Sequence, residues 1–496
     1  MKRILLSVCL VLLTVTAAQA AEITPIRSVV DLATGESRTV TLTDGTTLTV
    51  ELRALDTTTD PFRGAVRSVR VTLAVNGVEG VIEACNYNLP VRVGPAQVDC
   101  PIARPYYETT SNDTWALTDS ADARIRLWPA GSPWIRPGTF AYPVRQRWFA
   151  NPTQMCNEPV YVDGGEIPGN RSVYYHNGLD AGGAEGMVDV LSATDALVVQ
   201  VGEQVLEGHD PETSPTAPRY DVIYTVDDRG WYYRYSHLKS FETNVRVGER
   251  VKMGRKLGEL GKEGGSGGWS HFHFCAYAMQ PSGKWGTEEA YPYYWQSYVA
   301  EYTPAVIAVA RPHIVASAGE PVTLDASRSK STKNERLSYR WMLSDGSESN
   351  GVAATITYDT PVVYSEAVLV RDGSGGYAYD IATVNVFDPD DPEVIPPTIH
   401  VAYSPTFGIR AGDPVTFKVR VFRSPRGGET WNFGDNSPPV VTTSKPAGAN
   451  VSVHDPGGYA VVVHRFAKPG DYLVRAEHIH PETGLKAVGM VWVPVE

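Results

Sequence analysis

His271-Phe272-His273-Phe274 alternates two imidazoles with two phenyl rings. In an extended strand, side chains two apart share a face. Both histidines then point to one side and both phenylalanines to the other, so the run predicts a strand with an apolar face in the core and an imidazole face on a groove. Two imidazoles are an odd filling for a core, because each brings ring nitrogens that need partners. Alone, such a pair is more often the solvated face of an ordinary strand than a metal site.

Upstream lies Tyr175-His176-Asn177-Gly178-Leu179-Asp180. His176 and Asp180 are four apart, which puts them on one face whether the backbone is extended or helical. Gly178 argues against a helix and permits close backbone approach. Histidine and aspartate are both ordinary zinc ligands. Between the two motifs comes Tyr233-Arg234-Tyr235-Ser236-His237-Leu238, where Tyr233, Tyr235 and His237 alternate along an expected strand. Just before the histidine pair, Gly264-Gly265-Ser266-Gly267-Gly268-Trp269-Ser270 reads as a flexible, exposed loop at the rim of a groove. Trp269 fits either a substrate platform or a loop anchor. No helical period stands out between residues 136 and 300. His209 lies in a polar loop and reads as solvated, and Tyr232, Tyr233 and Tyr235 read as strand packing.

Taken in this order, the three elements resemble the LytM/lysostaphin-type zinc endopeptidases, which show His-x-x-x-Asp, a later His followed by Leu, and then His-x-His. The resemblance covers roughly residues 170–280. Gly248-Glu249-Arg250-Val251 and Gly258-Glu259-Leu260-Gly261 support it. Three departures are visible: Ala181-Gly182-Gly183 after the first motif, an inserted polar loop over Glu207 to Arg219, and Phe272 where the family commonly has leucine. None removes a ligand. Carried over by position, the resemblance implies one Zn2+ per chain held by His176, Asp180 and His273, with His237 and His271 as the catalytic histidines. It implies an antiparallel sheet with a narrow groove, and attack of zinc-activated water on a peptide carbonyl without a covalent intermediate. It also implies that an upstream segment can occupy the open metal position, with Asn157 or Asn170 offering an oxygen.

Outward from this centre the chain reads as mainly β and multidomain. Residues 21–135 form an N-terminal β module with hairpins at Asp44-Gly45 and Asn76-Gly77. Residues 136–300 hold the metallopeptidase domain. Residues 301–390 and 391–496 form two immunoglobulin-like sandwiches. Ala318-Gly319-Glu320-Pro321-Val322-Thr323-Leu324 matches Ala411-Gly412-Asp413-Pro414-Val415-Thr416-Phe417, and Trp341 and Trp431 follow as expected core anchors. Trp431-Asn432-Phe433-Gly434-Asp435 and the later Pro469-Gly470-Asp471-Tyr472 resemble PKD domains, a resemblance that implies spacers or weak binders of a polymer or protein. His478-x-His480 lacks a partner motif and reads as structural or solvent-facing. An acidic, proline-rich seam over Asp388 to Pro397 predicts a semi-rigid linker.

Lys2-Arg3, the apolar run Ile4 to Val15 and Ala18-Gln19-Ala20 read as a signal peptide over residues 1–20. The expectation is an exported chain acting in the periplasm, at the cell surface or outside the cell, with no membrane span in its mature part. Removing residues 1–20 takes away Lys2 and Arg3 and no acid, so the formal charge of −12 becomes −14. That balance argues against nucleic acid as a partner. Cys85, Cys100, Cys156 and Cys275 then remain. An oxidising compartment makes disulfides expected, and three pairings exist. Sequence proximity favours Cys85–Cys100, leaving Cys156–Cys275.

The resemblance implies a secreted zinc endopeptidase of peptidoglycan cross-links. Three rivals stand beside it: an extracellular peptidase of Gly-rich proteins, a non-catalytic LytM-type regulator or binding protein, and an adhesive surface protein.

Overall fold

The structure is a computed structural model and describes residues 23–62, 64–108, 113–153, 155–161, 173–391, 394–448 and 451–496. The leader read over residues 1–20 lies outside the described residues. The fold is mainly β and multidomain, as the alternation predicts. No helix among the described residues is long and apolar enough to cross a membrane.

Two antiparallel four-stranded sheets build the N-terminal module. One runs Ser28–Leu32, Ala123–Pro129, Ala96–Ala103 and Val91–Val93; the other runs Ser37–Thr41, Thr47–Thr59, Val66–Val75 and Val78–Glu83. Both expected hairpins form. At the second, Asn76 and Gly77 both take positive φ, 49° and 80°, the requirement of a two-residue turn between twisted strands.

The central antiparallel sheet has the path Leu179–Gly182, His271–Met279, Tyr232–Ser236, Ile223–Asp227, Ala196–Val201 and Gln204–Val205. Phe272 and Phe274 are fully buried, against Tyr235, Tyr233 and Tyr294. A three-stranded sheet of Asp189–Leu191, Lys256–Leu260 and Leu238–Phe241 lies beside it. The reading of residues 136–300 as free of helical period misses one helix, Tyr291–Tyr302. Its tyrosines Tyr291, Tyr293, Tyr294 and Tyr298 are all buried, on more than one face, so no polar stripe marks a period.

The two C-terminal sandwiches bury Trp341 and Trp431 completely, as expected of core anchors. They are joined more closely than a linker implies. Val362 and Val363 pair in parallel with Lys486 and Ala487, which fuses one sheet of each sandwich into a continuous nine-stranded sheet.

The N-terminal module and the central domain share one apolar core. A buried ionic network crosses their seam. Arg27 donates twice to Glu288, at 2.7 Å each. Arg126 donates to Glu288 Oε1 at 2.7 Å and to both oxygens of Asp99. The Tyr293 hydroxyl donates to Glu288 Oε1 at 2.6 Å. Burial works against a charged Glu288, but Arg27 and Arg126 hold it down at about 2. Its folded pKa lies below the ordinary 4.5, so its contribution is full above about pH 4.5 and is lost as the pH falls toward 2. Glu288→Gln is expected to cost roughly 3–5 kcal/mol near neutral pH, the usual cost of leaving a buried charge unpaired. It should also flatten the decline in stability between pH 4.5 and 2. Denaturant melts of both chains across that range check this.

Candidate metal and catalytic centre

Register brings the centre together. Leu179–Gly182 pairs antiparallel with His271–Met279 so that Asp180 lies opposite His273 and Gly182 opposite His271. On the other side of the same strand, Ser236 lies opposite His273, which puts His237 at the end of its strand and beside the pair. His176 enters from the turn before Leu179, its N–H donating to the Glu158 carbonyl at 3.1 Å. All five side chains are buried, each under a tenth exposed.

Three of them converge. His176 Nε2 is 3.1 Å from His273 Nδ1 and 3.3 Å from Asp180 Oδ2, and His273 Nδ1 is 2.8 Å from Asp180 Oδ1. Ligand atoms on a tetrahedral zinc at about 2.0–2.1 Å stand ~3.3 Å apart; the His176–His273 and His176–Asp180 separations are close to that edge, and the His273–Asp180 contact is shorter. Burial works against a charged His176, yet Asp180 raises it above the ordinary histidine value. Burial likewise opposes the Asp180 carboxylate, but His176 and His271 hold it well below the usual range. Burial pushes His273 well down, against the pull of Asp180. Two imidazole nitrogens and a carboxylate oxygen converging in one buried cluster are a donor set that fits zinc.

The other two histidines stand beside this triad without joining it. His237 and His271 have ring centroids 4.6 Å apart, and His271 Nε2 is 3.7 Å from Asp180 Oδ1. His237 Nδ1 bonds the Glu263 carbonyl at 2.6 Å, and His271 Nδ1 bonds the Trp269 carbonyl at 2.9 Å. A carbonyl only accepts, so each Nδ1 carries a hydrogen, and in a neutral ring the lone pair is then on Nε2. Burial lowers His237 to about 4, partly opposed by Asp221.

Asp221 was not singled out by sequence reading. His237 has φ +64°, an uncommon conformation outside glycine. The Asp221 carboxylate accepts its N–H at 2.9 Å, and Arg219 pairs with Asp221 in turn. The only sequence signal was the polar stretch ending at Arg219.

Several expectations are corrected. The Gly-rich run is only partly an exposed rim: Gly265 is exposed, but the second sandwich packs on Gly264, Gly268, Trp269 and Ser270. Trp269 stacks on Phe422 at 4.4 Å and 7°, so it anchors the loop rather than standing as a platform. Ser270 N–H donates to the Tyr459 hydroxyl at 2.8 Å, and His454 Nε2 bonds the Gly264 carbonyl at 2.8 Å. A Cβ on Gly268 would meet Val453 O at 2.7 Å, so glycine is needed for the close approach. His400, outside every motif, is fully buried at this seam between Tyr459, Asn151 and Thr153. His209 is half-buried and bonds the Tyr232 hydroxyl at 2.7 Å. Asn157 uses its Oδ1 to accept the Gly178 N–H at 2.5 Å, which braces the ligand turn; Asn170 lies outside the described residues.

The cysteine pairings are corrected too: all four thiols are free. Cys85 and Cys100 touch through backbone only, and the Cys100 thiol faces the Ile102 carbonyl. The Cys275 thiol faces the Asn177 carbonyl at 2.9 Å and lies 3.0 Å from His273 Nε2. Sequence proximity misled because Cys85 sits in a turn that points its side chain away from the strand carrying Cys100.

Gly178 lies between two members of the triad at φ +109°, and a Cβ there would meet Cys275 Sγ and the Phe274 carbonyl, both at 2.5 Å. Gly178→Ala is expected to lower stability by roughly 2–3 kcal/mol through strain and overpacking. Gly265→Ala, where φ is ordinary and a Cβ would meet only Arg219 Nη1 at 3.8 Å, should stay within about 0.5 kcal/mol of the parent. Equal losses in thermal melts would contradict the geometry.

Residues 174–282 match the model of Peptidase family M23, and residues 303–386 and 398–480 each match a PKD domain model. Among solved structures, the catalytic domain of the antimicrobial peptidase lysostaphin from Staphylococcus simulans is 22% identical. The match covers 28% of this chain and 92% of that one, with a TM-score of 0.19. Csd3 from Helicobacter pylori is 12% identical, over 54% of this chain and 81% of that one, with a TM-score of 0.21. Comparison with curated protein sequences returns no match.

Proposed function

We propose that this chain, which carries a Peptidase M23 domain and two PKD domains, is a zinc-dependent endopeptidase that acts outside the cytoplasm on peptide cross-links of peptidoglycan. The observation that carries this reading is the convergence of His176, Asp180 and His273 with two non-ligating histidines beside them. The M23 match supports peptide hydrolysis, and the leader read at residues 1–20 supports export.

His176, Asp180 and His273 would hold the ion, leaving one position open. Zinc bound there supplies Lewis acidity toward a carbonyl and toward water. The chain's own residues do the rest. The rings of His237 and His271 lie 4.6 Å apart, each with Nδ1 on a backbone carbonyl, so each neutral ring offers Nε2 as its accepting nitrogen. One such nitrogen accepts a proton from the attacking water and passes it to the leaving amine, while the other, when it carries a proton taken from solvent, donates to the developing oxyanion. Asp221 acts through His237, fixing its backbone and hence its ring.

Purified full chain loaded with zinc should release soluble fragments from sacculi. His237→Ala and His271→Ala should each lower that release by about 100-fold or more, the usual span of general acid–base catalysis, while metal content stays near the parent's. A Gly-rich protein digested in parallel separates the two substrate classes. A zinc-loaded parent that cuts neither would overturn the peptidase reading.

A further inference from the structure

Cys85 and Cys156 face each other across the seam between the N-terminal module and the strip that enters the central domain. Their sulfurs are 3.3 Å apart and both residues are buried. The two lie 71 residues apart in sequence.

The surrounding backbone is built around this contact. Cys85, Asn86 and Tyr87 all take positive φ, 48°, 47° and 65°. Three successive non-glycine residues in the left-handed region run against local preference, so tertiary bonds must hold the turn. Tyr87 N–H points at Cys156 Sγ at 3.1 Å. The Tyr87 hydroxyl accepts the Met155 N–H at 3.1 Å and donates to Glu158 at 3.0 Å. The turn therefore grips residues 155–158 on both sides of Cys156. The same strip supports the ligand turn, through Asn157 to Gly178 and Glu158 to His176.

Glu289 completes a group of three that could bind a metal. The geometry favours sulfur–sulfur chemistry instead. Two thiolates on one tetrahedral zinc, at about 2.3 Å each, stand ~3.8 Å apart, wider than the pair seen here. Two thiolates and a carboxylate on Zn2+ would also leave a net charge of −1 in a buried place. Glu289 is already engaged: its Oε1 accepts the Tyr291 N–H at 2.7 Å and its Oε2 accepts from the Asn157 amide.

The geometry points to a Cys85–Cys156 disulfide that forms when the chain meets an oxidant and braces the turn carrying His176 and Gly178. Both S–H bonds break and one S–S bond forms. A disulfide-bearing oxidant, a glutathione disulfide or a thiol–disulfide oxidoreductase, takes up the two electrons and two protons and leaves as two thiols. The sulfurs close by roughly 1.3 Å. Cys100 and Cys275 stay reduced.

The test uses the parent full chain, produced through an oxidising secretory route and alkylated in denaturant before and after reduction. Peptide mapping by mass spectrometry should find Cys85 joined to Cys156, with Cys100 and Cys275 alkylated before reduction. Reduction should then raise amide hydrogen exchange across residues 173–182, and Cys156→Ser should show the raised exchange without reduction. Cys85 and Cys156 both alkylated before reduction would overturn the proposal. So would a different pairing, or a second zinc per chain that Cys85→Ser removes. Exchange that does not respond to reduction would overturn the brace. These readouts do not depend on peptidase activity, so they can fail separately from it.

Discussion

The antiparallel pairing of Leu179–Gly182 with His271–Met279 is the constraint on which the centre depends. Strand side chains have a period of two, so a slip of one residue would move His271 and His273 to the face now held by Phe272 and Phe274. The register is fixed by those phenylalanines. They pack with Tyr233, Tyr235 and Tyr294, and the hydrophobic gain of burying them sets which face the imidazoles take. A polar cluster is thereby carried into a buried position that it would not choose for itself. There Asp180 bonds His273 and faces His176, so the buried polar groups find partners in one another.

Support for this cluster comes from three directions. The N-terminal module locks to the strand Trp285–Glu288 and the helix after it through Arg27, Arg126 and Glu288. The strip 155–158 braces the ligand turn. The second sandwich packs on the Gly-rich loop that leads into His271, through Phe422, Tyr459 and His454. A domain class expected to act as a spacer is here part of the wall that positions a catalytic candidate. The loop's glycines serve that docking: Gly268 lets the backbone approach the neighbouring domain rather than swing freely.

Much of this was legible in the sequence, and the reason is local. Alternation of His271-Phe272-His273-Phe274, the spacing of His176 and Asp180, and the paired turns at Gly45 and Gly77 each express a backbone period or a φ requirement within a few residues. What was not legible depends on partners far along the chain. Asp221 matters because it meets the His237 backbone. His400 matters because it meets residues 151, 153 and 459. Cys85 meets Cys156 rather than Cys100 because of a left-handed turn that no pattern announces. The helix Tyr291–Tyr302 escaped because its aromatic residues are buried all round, which erases the amphipathic signal.

The central claim is that His176, Asp180 and His273 form one zinc site, and metal content tests it most directly. After zinc loading and removal of excess, elemental analysis of the purified full chain should give about one zinc per chain. Asp180→Ala, folded by circular dichroism, should retain far less. A parent that holds no zinc after loading, or an Asp180→Ala chain that holds as much as the parent, would contradict the account.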